Sequence, residues 1–399
     1  MIKKVKVEQL RHGMFIHDFN CGWINHPFLS NSVKIVNEKT IEKIIDYGIR
    51  EVYIDTDKGS DVAGAPTEDE VSREIQAEIN KVAVPEINER DVVPVQEEIV
   101  RAKEIKKEAL QTVRDLMEDV RFGKPIKMEK VDHIAEKMVE SILRNKGALT
   151  SLSRIKKADE YTFMHSISVA VLMISFGRHL GFDYKLIKAL GTGGLLHDIG
   201  KIKVPAGILS KTTRLSEDEF IRAKEHVKHS RVILEQTRDI NETSVLMALH
   251  HHERIDGSGY PGKLKGDEIS KFGRMSAIAD VYDAMTSMRC YQRKFEPTEV
   301  LKKLFEWSRF YSNELVQQFI RCLGIYPVGS LVRLESGLLG VVLNQGEKNL
   351  LQPVVRVVYN TKKEQYISPY DIDLAQNNGD RVASSELPDR WNITPGAYL

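Results

Sequence analysis

Cysteine is scarce in this chain. Only Cys21, Cys290 and Cys322 occur in 399 residues, and none stands in a C-x-x-C pair. That excludes a disulfide framework and a thiolate metal site, and it fits a reducing compartment. A long apolar run is also missing: nothing approaches the ~18 residues needed to span a bilayer. The first ten residues are charged and hold no apolar signal segment, so a cytoplasmic protein with no membrane partner is expected. An excess of one charge is missing too. Lys and Arg total 58 against 57 for Asp and Glu, a formal net charge of +1. This balance excludes a general polyanion binder, and without a basic stripe no DNA partner is expected. A small anionic ligand would have to be met by a local site.

What is present divides along the chain. Residues 1–58 read as a small α+β unit: Val33 to Val36 is an apolar run, Ile41, Ile44 and Ile45 sit at helical spacing, and Glu51 to Asp55 alternates as a strand does. Residues 59–95 scatter Pro66, Pro85 and Pro94 among carboxylates without an aromatic, the composition of a linker with one exposed helix. Residues 96–145 form a helical connector. Ile99, Ile105, Leu110, Val113 and Leu116 make one stripe, and Val131, Ile134, Met138, Ile142 and Leu143 another, packed on each other or on a second subunit. Residues 146–324 are almost wholly helical, with helices expected over 158–180, 183–197, 216–236, 241–252, 268–288, 297–308 and 312–323. Residues 325–399 turn to short β-type runs at 331–334, 339–343 and 354–359, punctuated by Gly337, Gly346 and Pro353. The fold class expected is mainly α: a helical core, a small α+β N-terminal domain and a short β-rich C-terminal tail.

The helical segment also gathers histidines. Of the chain's 12, eight fall between His165 and His252. His165, His197-Asp198, His226 and His250-His251-His252 occur in order, followed by Asp280 and Asp283. So many titratable groups in the most compact segment are costly unless something offsets them, and a cation would satisfy several at once. Imidazole with carboxylate suits Zn, Fe or Mn. His197 and Asp198 are adjacent, and neighbours on a helix point about 100° apart. One ion could take the imidazole while the carboxylate reaches a second, ~3.5–4 Å away. Lys201, beyond Gly200, could meet a phosphate oxygen near the ions. Gly257-Ser-Gly-Tyr-Pro261 is a tight loop whose backbone could approach a ligand closely.

The motifs His197-Asp198-Ile-Gly-Lys201, His251-His-Glu253, Asp256-Gly-Ser-Gly-Tyr-Pro261 and Asp280-Val-Tyr-Asp-Ala284 resemble the HD-GYP family of the HD superfamily of metal-dependent phosphohydrolases. The resemblance covers residues 146–324. It implies a helical core with a two- or three-metal centre, iron or manganese, and hydrolysis of bacterial 3',5'-cyclic dinucleotides, chiefly cyclic di-GMP. By the same resemblance the metal ligands are His165, His197, Asp198, His226, His251, His252 and Asp280, with Asp198 bridging. Lys201 matches the lysine that contacts the scissile phosphate and the attacking water. Tyr260 belongs to the loop that names the family, and Arg289 matches a nucleotide-binding arginine. Three departures shape the expectation. Tyr161 stands where three-metal members carry glutamate, with Glu160 one residue off the face, so a two-cation site is expected. Cys290 and Gln292 replace a proline and a basic residue, which leaves room for 3',3'-cyclic GMP-AMP as substrate. His250 extends the histidine pair to a triplet. A catalytically weak cyclic dinucleotide receptor, signalling through a protein partner, is the alternative reading. The possibility of a homodimer stays open.

Overall fold

The computed structural model describes residues 1–21, 32–83, 91–154, 160–211, 213, 215–287, 295–346, 348–376 and 379–399. The elements in order are β1 (Ile2–Lys6), β2 (Phe15–Asp18), β3 (Val33–Lys34), α1 (Glu38–Asp46), β4 (Glu51–Asp55), α2 (Glu68–Val82), α3 (Val95–Arg121), α4 (Met128–Arg144), α5 (Lys146–Ser153), α6 (Tyr161–His179) and α7 (Tyr184–Leu196). Then come α8 (Ala206–Leu209), α9 (Glu217–Lys224), α10 (His226–Glu235), α11 (Glu242–His250), α12 (Lys271–Thr286), α13 (Pro297–Glu306) and α14 (Asn313–Leu323). The chain ends in β5 (Leu331–Leu334), β6 (Leu338–Asn344), β7 (Val354–Asn360), β8 (Gln365–Asp373) and β9 (Val382–Glu386). The protein is mainly α, with a small sheet near each end. Two compact units form: Met1–Ile79 with Ala206–Lys224, and Asn80–Pro205 with Glu225–Leu399.

The first unit is built on an antiparallel sheet of order β1-β4-β2-β3. Val5, Ile16, Val52 and Ile54 from its strands bury against Ile44 of α1, together with Phe19 and Ile35. In the same unit the Glu217 carboxylate accepts from the Tyr47 hydroxyl at 3.0 Å.

The second unit holds the large apolar core. The α3 and α4 stripes bury in one cluster with Ile167, Ala170, Val171 and Ile174 of α6 and with Leu195 and Leu196 at the end of α7. Within the chain these stripes are therefore spent on the helical core itself. α6 and α7 approach backbone to backbone: a Cβ on Gly194 would lie 2.4 Å from Ala170 Cα. Polar caps fix where the core helices begin. Asp183, Asn241 and Ser270 accept from the backbone N–H of Leu186, Thr243 and Gly273, at the starts of α7, α11 and α12.

Two features differ from the sequence reading. The helix expected over 216–236 is broken at Glu225 into α9 and α10. Phe220 of α9 is buried in one stretch, while Val227, Ser230 and Leu234 of α10 bury in another. The break coincides with the boundary between the two units. The C-terminal sheet also has more strands than the pattern shows. It is antiparallel, in the order β8-β7-β6-β5-β9. Strands β8 and β9 are its edges. Edge strands bury little and tolerate Pro369, so they carry no clear apolar alternation.

Candidate metal centre

The helical core brings together residues that lie far apart in sequence. His165 comes from α6, and His197 and Asp198 from the turn that ends α7. His226 opens α10, His251 and His252 follow α11, and Asp280 lies in α12. All seven are buried. Gly200 permits the crowding, since a Cβ there would lie 2.0 Å from the His226 carbonyl oxygen and 2.4 Å from Ser230 N. Ser230 Oγ in turn accepts from Gly200 N at 2.9 Å. This holds the turn carrying Asp198 against the start of α10.

The Asp198 carboxylate divides the cluster. Its Oδ2 lies 3.2 Å from His197 Nε2 and 3.5 Å from His165 Nε2. Its Oδ1 lies 3.3 Å from His226 Nε2 and 3.7 Å from His251 Nε2. On the first side, ligand atoms of His165, His197 and Asp280 lie within 4.8 Å of one another, and on the second, those of His226, His251 and His252 do. His197, Asp198 and His251 form a third such group across the middle. The two sides also touch at their rim, with His252 Nδ1 4.0 Å from Asp280 Oδ2.

Hydrogen bonds behind the rings decide which nitrogen faces inward. His197 Nδ1 donates to Gly194 O at 2.8 Å, and His251 Nδ1 donates to Ala248 O at 2.9 Å. Each therefore turns an Nε2 lone pair toward Asp198. His165 Nδ1 donates to Asp283 Oδ2 at 2.6 Å, while its Nε2 faces Asp280 Oδ1 at 3.0 Å. Asp283 had no role in the sequence reading. Its signal was available: it lies three residues after Asp280, on the same side of α12.

The electrostatics follow from burial and crowding. Burial alone would raise the Asp198 carboxyl, but Lys201, His197 and His165 overcome it and hold the group well below the usual carboxylate range. Burial would likewise raise Asp280, and the His165 contact reverses that and holds it well below. Burial, then the neighbouring His197, pushes His251 down to about 3. His252 is pushed well below its ordinary value by burial and by His251. His165 behaves oppositely: burial would lower it, yet Asp198, Asp280 and Asp283 take it up to about 9. Asp198 and Asp280 are thus held ionised and His251 and His252 neutral, as ligation requires, whereas the three carboxylates around His165 favour its protonated form, a proton that a bound cation would have to displace. Among the described residues, the buried atoms His197 Nε2 and Asp198 Oδ1 find no hydrogen-bond partner. Both point where a cation would satisfy them, so the residues fit the divalent metal that the HD resemblance implies.

The other expected residues fall as follows. Lys201 lies in the turn after Asp198 and its Nζ donates to Asp198 Oδ2. Tyr260 stacks on His252, with ring centroids 4.6 Å apart and 24° between planes. His250 turns away from the cluster, its Nδ1 accepting from Ser270 N at 3.2 Å and so joining α11 to the start of α12. Arg289, Cys290 and Gln292 lie outside the described residues, as does the side chain of Tyr161. Glu160, its neighbour, pairs with Arg114 at 3.6 Å.

A helical core converging five imidazoles and two carboxylates on one buried point defines a metal-dependent phosphohydrolase of the HD type. Comparison with known proteins agrees. The model of an HD domain matches residues 137–311, and that of a domain of unknown function (DUF3391) matches residues 2–131. A cyclic di-GMP phosphodiesterase of Pseudomonas aeruginosa is 37% identical over 395 residues, covering 98% of this chain and 94% of that protein. A 3'3'-cGAMP-specific phosphodiesterase of Vibrio cholerae is 38% identical over 156 residues, 39% of this chain and 36% of its own length. A solved structure of a HDG"Y"P protein from Bdellovibrio bacteriovorus overlaps 80% of this chain and 98% of its own, at 20% identity and a TM-score of 0.47. The chain belongs to the HD-GYP family of cyclic dinucleotide phosphodiesterases. Among the described residues no helix is long and apolar enough to cross a membrane.

Proposed function

We propose that this enzyme opens a bacterial 3',5'-cyclic dinucleotide, cyclic di-GMP or 3',3'-cyclic GMP-AMP, to the linear dinucleotide. The observation that carries this reading is the division of the cluster by Asp198, with one carboxylate oxygen toward each group of three ligands. That is the arrangement a two-cation phosphodiesterase needs. His165, His197 and Asp280 would hold one ion, and His226, His251 and His252 the other, with Asp198 shared. Divalent cations bound there, iron or manganese, would supply a hydroxide from water near neutral pH and electrostatic stabilisation of the phosphoryl group. Two divalent charges against two carboxylates leave an electropositive centre suited to an anionic diester. The hydroxide oxygen would bond to phosphorus as the bond to the ribose 3'-oxygen breaks in line, and that oxygen would take a proton from solvent to become the free 3'-hydroxyl of the linear dinucleotide. Lys201 swings its ammonium from Asp198 to a non-bridging oxygen, where charge grows. Tyr260 and Arg289 bind the nucleotide. Residues 146–324 act as the catalytic domain, and residues 1–58 as a regulatory one. In this reading the reaction takes place in the cytoplasm.

The decisive test incubates iron- or manganese-loaded protein separately with cyclic di-GMP, cyclic di-AMP and cyclic GMP-AMP and separates the products by chromatography. Linear dinucleotide from a guanine-containing ring is the expected outcome. Tight binding without turnover by fully metal-loaded protein would make the chain a receptor instead.

A further inference from the structure

Glu253 directly follows two histidines of the metal cluster and is 2% exposed, yet its carboxylate points elsewhere. Oε1 accepts from Gly262 N at 2.6 Å, and Oε2 accepts from Leu264 N at 3.1 Å. Both oxygens of a buried acid are thus committed to the backbone of the loop that carries Tyr260. The loop lies directly on the chain at this point. A Cβ on Gly259 would meet Arg254 N at 2.4 Å and Glu253 Cα at 2.5 Å, and Tyr260 N donates to His252 O at 3.1 Å. The following residue ties the same stretch down on another side. Arg254 donates to Glu253 O at 2.8 Å and stacks its guanidinium 4.6 Å from the centre of the Tyr311 ring. One short strand of chain therefore holds a ligand histidine, a loop anchor and a brace in succession.

We propose that Glu253 is a positioning residue for the hydrolysis: its carboxylate clamps the Gly257–Leu264 loop so that Tyr260 lies face-on against His252, beside the bound diester. The proposal rests on the cyclic dinucleotide reading above. A carboxylate accepting two N–H groups gives two charge-assisted bonds in a fixed geometry, which a neutral side chain does not reproduce. Without them the loop keeps its covalent path but loses its register on His252. The substrate wall then moves while the ligands, held from behind by Gly194, Ala248 and Asp283, stay.

The test compares Glu253→Gln and Glu253→Ala with the parent as full-length, metal-loaded protein. Amide hydrogen exchange at Gly262 and Leu264 reads the clamp, steady-state kinetics on cyclic di-GMP and cyclic GMP-AMP read its consequence, and elemental analysis reads the metal. Exchange at both amides should rise at least about 10-fold in Glu253→Ala, and at one of them in Glu253→Gln, whose amide oxygen still accepts. KM should rise roughly 10- to 100-fold in Glu253→Ala, with a smaller loss in kcat and parental metal content. Should Glu253→Ala not fold, Glu253→Gln keeps the volume and carries the same comparison. Unchanged exchange at both amides overturns the proposal, as does raised exchange with parental KM, or loss of metal without a change in exchange. A parent without turnover on any cyclic dinucleotide would remove the functional reading, whereas amide exchange would still report the clamp by itself.

Discussion

His165 and Asp283 are joined across α6 and α12 by a 2.6 Å hydrogen bond from Nδ1 to Oδ2. The bond fixes the ring so that Nε2 faces Asp280 and Asp198. It is a carboxylate-histidine pair behind a metal position, and its removal should weaken the ligand without deleting it. Asp283→Asn should lower metal affinity and turnover, each by roughly 10- to 100-fold. Chelator-competition titration measures the first and product formation the second. Parental affinity in this variant would show that His165 needs no support.

The bridging role proposed for Asp198 gives a stability prediction. Metal that binds only the folded chain adds ~2.7 kcal/mol at a hundredfold excess over Kd. For a unit of this size that is roughly 4 °C in Tm. Chelation should lower the melting temperature of the parent by that amount. Asp198→Ala should show no chelator-dependent shift and no turnover, while circular dichroism keeps its helix content. A chelator shift in Asp198→Ala equal to the parent's would mean that the metal sits elsewhere.

Much of this centre was legible because its chemistry is written in residue types that have few other reasons to cluster in a compact helical segment. The adjacent pairs His197-Asp198 and His251-His252 mark the residues that the family resemblance proposes as ligands. What they do not state is which oxygen or nitrogen faces which partner. The split of Asp198 between two groups depends on α6, α7, α10, α11 and α12 meeting in space, and so does the assignment of Asp283 to His165. The helix break at Glu225 was hidden for another reason. No proline or glycine marks the break, and it shows only once α9 buries Phe220 and α10 buries Val227, Ser230 and Leu234. Strand β8 was hidden because an exposed edge strand with Pro369 lacks the alternation by which strands are read. Glu253 sat in plain view within a motif without a role, because its bonds to the amides of Gly262 and Leu264 exist only once the loop folds back on it.

Close packing under the centre is tested by a pair of glycines. A Cβ on Gly194 would lie 2.4 Å from Ala170 Cα and 2.6 Å from Ala170 N, while at Gly207 nothing lies within 4 Å. Backbone cannot yield as a side-chain tip does. Gly194→Ala should destabilise by about 2–3 kcal/mol despite its better helix propensity. Gly207→Ala should change stability by less than about 1 kcal/mol, in the stabilising direction. Urea midpoints measure both. Equal midpoints would mean that α6 and α7 do not pack this closely.

The pH dependence of folding should report a buried ion pair remote from the metal. Glu98 of α3 is fully buried, accepting from Ser141 Oγ at 2.8 Å and from Arg144 Nε and NH2 at 2.8 and 2.9 Å. Burial would raise its carboxyl, but Arg144 and Ser141 overcome that and hold it below the ordinary value of 4.5. The folded chain therefore binds fewer protons here than the unfolded chain in the acid range. The stabilisation is fully present above pH 4.5 and is lost as pH falls through the depressed folded value. Glu98→Gln leaves Arg144 with only the more distant Glu140 carboxylate, 3.9 Å away, and should cost roughly 2 kcal/mol at neutral pH, at the low side because Arg144 is partly exposed. It also removes the titration. The gap between parent and variant urea midpoints should hold steady from neutrality to about pH 5 and narrow below 4.5. A gap that stays constant into strong acid would show that the Glu98 carboxylate is not held ionised by its partners.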